Sequence, residues 1–128
     1  MQERRKLPRK DLRSYSQVFD LYGGKLIGYL GDLNLIGAMV IGDEPLKVGQ
    51  RLTVSIQLPE LSGVTATRLA LPVRVVRCQP DLSPEYLNIG LEFELVTNQQ
   101  RKIIETILEE YEFRRQAPNY PPNPSQFE

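Results

Sequence analysis

The chain has 128 residues, sixteen Lys plus Arg against sixteen Asp plus Glu, and no histidine. That is room for one core, with no global field pulling it toward DNA or an acidic membrane. Histidine is absent and Cys78 is the sole cysteine, which together exclude intrachain disulfides, clustered-thiolate zinc sites and every histidine-based catalytic arrangement. No apolar run approaches the roughly 20 residues of a membrane helix and the start is polar, so the expectation is a soluble, cytoplasmic protein without membrane insertion.

Positive charge is local. Arg4, Arg5, Lys6, Arg9, Lys10 and Arg13 crowd the first residues against Glu3 and Asp11. Pro8 disfavours helix at Leu7, so the arginines are expected on an irregular or extended arm, residues 1–13, able to wrap a ligand. Guanidinium groups suit phosphate oxygens and the acceptor edge of guanine.

From Ser16 to Tyr22 residues alternate in parity, Gly23-Gly24 supplies a tight turn, and Lys25 to Leu30 returns as a second strand. Gly31-Asp32-Leu33-Asn34-Leu35-Ile36-Gly37 follows, then a strand over Ala38 to Ile41 closed by Gly42-Asp43-Glu44-Pro45. Leu46 to Gln50 reads as a loop into a strand over Arg51 to Leu58, where Leu52, Val54, Ile56 and Leu58 share one face. Beyond a turn at Pro59 to Gly63 come a long strand, Ala66 to Arg77, interrupted at Pro72, a loop over Pro80 to Glu85, and a last strand, Leu87 to Leu95.

Short strands joined by Gly and Pro turns predict an all-β unit, a small antiparallel barrel in preference to a sandwich because closure removes exposed edges. Ile103, Ile104, Ile107, Leu108 and Tyr111 then recur at helical spacing, predicting one helix over Gln99 to Arg115 with Thr97 or Asn98 as cap and Gln100 near the capping-box position. The barrel with its helix is assigned to residues 14–116. Residues 117–128, with Pro118, Pro121, Pro122 and Pro124, form an extended, disordered tail on this reading.

The order of a basic R-x-x-x-R arm, a strand, D-x-N-x-x-G, more strands, Ile89-Gly90-Leu91-Glu92-Phe93 and a terminal helix resembles a PilZ domain. The likeness runs from about Glu3 to Glu112. It implies a six-stranded antiparallel barrel with a C-terminal helix that receives the bacterial second messenger cyclic di-GMP. It places the family's two arginines on Arg5 and Arg9, holding guanine edges and phosphates. Asp32 falls on the acidic position, facing guanine N1 and N2 or orienting an arginine, and Gly37 on the closing glycine. Arg4 would reach the far phosphates, and Arg77 is a further candidate facing the ligand. Where the family usually has serine, this chain has Asn34, larger but also able to donate and accept.

The implied protein is no enzyme and needs no cofactor. As a monomer or weak dimer it passes occupancy by cyclic di-GMP to an unidentified protein partner, in processes such as motility or biofilm regulation. Two other readings stand beside it. One is an interaction adaptor that keeps the barrel but not the nucleotide, motivated by Asn34. The other is a single-stranded nucleic-acid binder, which would need aromatic platforms that the sequence does not group beside the arginines. On a plainer view Asp32 and Asn34 are hairpin-turn residues, Gly37 is a bulge glycine, and Cys78 is a small buried apolar side chain.

Overall fold

The computed structural model describes residues 10–11, 16–82 and 84–112. Arg4, Arg5 and Arg9, the tail from 117 and the last residues of the expected helix lie outside the described residues.

Among the described residues, eight strands and one helix follow in chain order: β1 (Lys10–Asp11), β2 (Gln17–Asp20), β3 (Leu26–Leu33), β4 (Gly37–Gly42), β5 (Arg51–Gln57), β6 (Arg68–Pro80), β7 (Leu87–Phe93), α1 (Asn98–Glu110) and β8 (Tyr111–Glu112). Strands β2 to β7 close an antiparallel barrel in the order β2-β3-β4-β7-β6-β5. The expected fold is therefore the observed one. Its interior is aliphatic, with Val18, Val40, Val54, Leu71, Val73, Val75 and Ile89 all 0% exposed. Burying each such side chain is worth about 1.5–3 kcal/mol, which is what makes the alternating pattern decisive.

Helix α1 belongs to the same core. Ile103, Ile104, Ile107 and Tyr111 join the barrel interior, so the apolar stripe of the sequence is spent on packing. Thr97 is the N-cap: its hydroxyl accepts from Gln100 N at 3.1 Å while the Gln100 side chain accepts from Thr97 N at 3.0 Å. Gln100 Nε2 also donates to the Ala70 carbonyl at 2.7 Å, fastening the first turn to β6. At the other end Tyr111 Oη donates to the Glu60 carbonyl at 2.6 Å and Glu110 Oε1 accepts from Ser62 N at 3.1 Å.

Two expectations are corrected. The helix ends at Glu110 rather than Arg115, because Tyr111 turns extended (φ −131°, ψ 152°) and β8 pairs in parallel with β1, Lys10 opposite Tyr111 and Asp11 opposite Glu112. The strand containing Pro72 is not interrupted. Thr53, opposite Pro72, offers its carbonyl to Leu21 N on the β2 side (2.9 Å), so no β5–β6 ladder bond requires an N–H at Pro72. The Pro72 carbonyl meanwhile accepts from Glu94 N at 2.8 Å. Cys78 is half-buried and packs against the core.

Two register irregularities control which way the outer wall points. In β3 the pairing passes from Leu30↔Val40 to Asp32↔Met39, leaving Gly31 as an extra residue. In β6 it passes from Val75↔Leu91 to Arg77↔Gly90, leaving Val76 extra. Side chains alternate with period two, so one extra residue reverses the facing of all that follow. Leu30 points inward, and strict alternation would send Asp32 inward as well; Val73 and Val75 point inward, and strict alternation would send Arg77 after them. Both bulges instead deliver a charged side chain to the outside of the barrel.

Candidate functional site

Those reversals place Asp32 and Arg77 on one outer surface, formed by β3, β4, β7 and β6. Between them lies a cleft of about 380 Å³, lined among others by Asp32, Asn34, Gly37, Arg77, Gly90 and Glu92, with Ile36 and Val76 as apolar contributors. Four sequence-predicted site residues, Asp32, Asn34, Gly37 and Arg77, are thus brought together.

The floor is the outer face of β4. Met39 is buried, and together with Ile41 and the flanking Tyr86 it forms a small apolar cluster separate from the main core. At one end the β3–β4 hairpin turn is built by Asn34. Its Oδ1 accepts from Ile36 N and Gly37 N, both at 2.9 Å, and its own N–H donates to the Gly37 carbonyl at 2.9 Å. Asn34 is a side chain closing a turn by mimicking backbone, a role Asn, Asp, Ser and Thr share. The Asp32 carboxylate also engages locally, Oδ1 accepting from Leu33 N at 2.8 Å.

Gly37 is required by proximity rather than by dihedral angle. The left-handed glycines are Gly24, Gly49 and Gly63; at Gly37 a Cβ would run into the Leu91 carbonyl of β7. The missing side chain lets β4 and β7 close at the cleft floor. The Ile36 carbonyl accepts from Phe93 N at 2.9 Å and carries the turn onto β7.

At the other end Arg77 lies across β7. Its Nε and Nη2 donate to Asn88 Oδ1 at 3.2 and 2.9 Å. A Cβ on Gly90 would stand 3.1 Å from Arg77 Cβ and Cζ and 3.2 Å from Nη1, so the guanidinium rests over a position bare of side chain. Asn88 is 9% exposed, and its Nδ2 makes a longer contact of 3.5 Å to Asp81 Oδ1. Glu92 is held by Arg74 Nη2 at 2.9 Å.

Asn88, Gly90 and Glu92 were not singled out from the sequence as site residues. A signal existed: with Ile89 and Leu91 inward, they share the outward parity of β7. What was lacking was the knowledge that β7 runs between β4 and β6. Among the described residues there is no cluster of three or more His, Cys, Asp or Glu able to hold a metal, and no helix long and apolar enough to cross a membrane.

A closed six-stranded antiparallel barrel plugged by one helix, with a cleft on its outer wall beside a D-x-N-x-x-G turn, defines the class of protein. The family model of the PilZ domain matches residues 3–110, and the chain belongs to that family. No curated protein matches it. Among solved structures it is similar to the Bacillus subtilis inhibitor of motility MotI/DgrA, at 20% identity and a TM-score of 0.59, over 84% of this chain and 51% of that one. It is similar to the PilZ domain of YcgR from Escherichia coli, solved with cyclic di-GMP, at 15% identity and TM-score 0.54, over 84% and 90%. MrkH of K. pneumonia in its apo state matches at 16% identity and TM-score 0.58, over 85% and 50%. The chain thus spans about half the length of the MotI/DgrA and MrkH chains.

Proposed function

We propose that this protein is a non-enzymatic receptor for cyclic di-GMP that transmits occupancy to a partner protein. The observation that carries the reading is the convergence of the D-x-N-x-x-G turn and Arg77 on one outer cleft of a PilZ barrel. Charge counting divides the work. The described lining contributes the carboxylates of Asp32 and Glu92, the latter paired with Arg74, and the guanidinium of Arg77, a near-neutral balance suited to the donor and acceptor edges of bases and without surplus positive charge for phosphates. The two phosphates of the ligand therefore fall to Arg4, Arg5 and Arg9, whose guanidinium groups match phosphate geometry.

Arg9 directly precedes Lys10, which pairs with Tyr111 at the end of the helix. Closure of the arm over a nucleotide thus has a short covalent route to the C-terminal side of the domain, a physical basis for an output. Ordering the arm costs about 1–2 kcal/mol per residue, which charge-assisted bonds must exceed. The role of Asn34 in the turn also weakens the motive for an adaptor that has lost the nucleotide, because serine at this position closes turns in the same way.

Isothermal titration with cyclic di-GMP tests the proposal. Saturable binding is expected in the wild type and its loss in Arg5→Ala and Arg9→Ala, with thermal melts of both variants unchanged. Undiminished binding in both would remove the arginine clamp.

A further inference from the structure

We infer that Arg77 is the residue by which this cleft distinguishes guanine from adenine, and that Asn88 is its positioning residue. The inference rests on the reading of the cleft as a cyclic dinucleotide site and adds how the base is read.

Arginine has five N–H donors in a fixed planar fork. In Arg77 the side-on edge is already engaged, because Nε and Nη2 both donate to Asn88 Oδ1 at 3.2 and 2.9 Å. The chemistry of its neighbours settles which end of the Asn88 amide is which: only the oxygen can accept from a guanidinium, and the amide nitrogen then faces the Asp81 carboxylate at 3.5 Å. Asn88 is itself buried in the middle strand of the site. Gly90 completes the seat, since Arg77 Cζ and Nη1 occupy the space a side chain would take. A long side chain that ordinarily samples many rotamers is thereby held in one, with the Nη1 and Nη2 end of the fork left for an acceptor pair.

Two such acceptor pairs exist in the ligand, a phosphate and the O6/N7 edge of guanine. The cleft favours the second. Asp32 lines the same space, and its carboxylate repels a phosphate but accepts from the N1 and N2 donors of guanine, while Glu92 beside it is engaged by Arg74. One base can then satisfy Arg77 on one edge and a carboxylate on another. Adenine offers an amino group where guanine has O6, which sets donor against donor at Arg77.

The experiment titrates wild type, Arg77→Ala, Arg77→Lys, Asn88→Ala and the Arg77→Ala/Asn88→Ala double variant with cyclic di-GMP and with cyclic di-AMP. The readout is the ratio of the two affinities, which a reduced folded fraction leaves unaltered. A wild-type preference for the guanine ligand is expected to narrow about tenfold or more in Arg77→Ala. It should narrow as much in Arg77→Lys, which keeps the charge and loses the fork, and comparably in Asn88→Ala. The double variant should match Arg77→Ala alone, because Asn88 acts through Arg77. A ratio preserved in Arg77→Lys or Asn88→Ala, or effects that multiply in the double variant, would overturn the inference while leaving the receptor intact. A wild type that binds both ligands equally overturns it as well, whereas one that binds neither removes the receptor reading along with it.

Discussion

Replacing Asn34 tests whether the chain's departure from the family serine serves the turn. Asn34→Ala removes the oxygen that accepts from Ile36 N and Gly37 N at 2.9 Å each. The Ile36 amide is exposed and water can replace the lost partner. The Gly37 amide belongs to a buried residue against β7, and an unsatisfied amide there costs about 1–3 kcal/mol. The expected loss is therefore about 1–2 kcal/mol, or roughly 3–8 °C in melting temperature for a domain of this size. Asn34→Asp and Asn34→Ser both retain an acceptor and should stay within about 1 kcal/mol of wild type. Thermal and urea unfolding of the three variants measures the order. If Asn34→Ala melts with the wild type, or Asn34→Ser falls as far as Asn34→Ala, the turn does not depend on this acceptor. For ligand, Asn34→Ser should bind cyclic di-GMP at least as tightly as wild type; a tenfold loss would show that Asn34 is used in its own right.

Gly37→Ala should destabilise by about 1–3 kcal/mol in urea titration, because its Cβ meets the Leu91 carbonyl and two strands must part; a variant of equal or greater stability refutes the close-approach account. Deleting Val76 removes the extra residue of β6, so Arg77 follows Val75 directly and keeps its outward facing opposite Gly90. Arg77 is thereby spared burial in the core, which would cost several kcal/mol, so the deletion should keep a cooperative melt, and a product without one would refute the parity argument. The hydrogen bond to Glu44, and then its charge, raise the Lys25 pKa above the ordinary 10.5. The pair's small, salt-screened contribution is present below that value and disappears as pH rises through the raised one. Wild type and Lys25→Gln should accordingly differ slightly near pH 7 and converge above about pH 10.5; a gap that widens with alkalinity would contradict this sign.

Much of the framework could be read from local pattern. The alternation of Leu52, Val54 and Ile56, the turn glycines, and the Ile103, Ile104, Ile107, Tyr111 stripe with its Thr97 cap are local signals, and burial of one face enforces them directly. The Pro72 expectation failed because whether a proline breaks a strand depends on which neighbour needs its N–H, and the order of strands supplies that. The helix overran because its stop at Tyr111 comes from pairing with a segment about a hundred residues earlier.

The chain alone determined that a small β-barrel forms with a helix against it, and which residue types a nucleotide site would need, since hydrophobic period and turn chemistry act over a few residues. Only the tertiary structure decided that Asp32 and Arg77 face outward together. Counted by parity from Leu30 and Val75, both belong inside. The extra residues Gly31 and Val76 reverse them, and a bulge is defined only by the strand it is paired against.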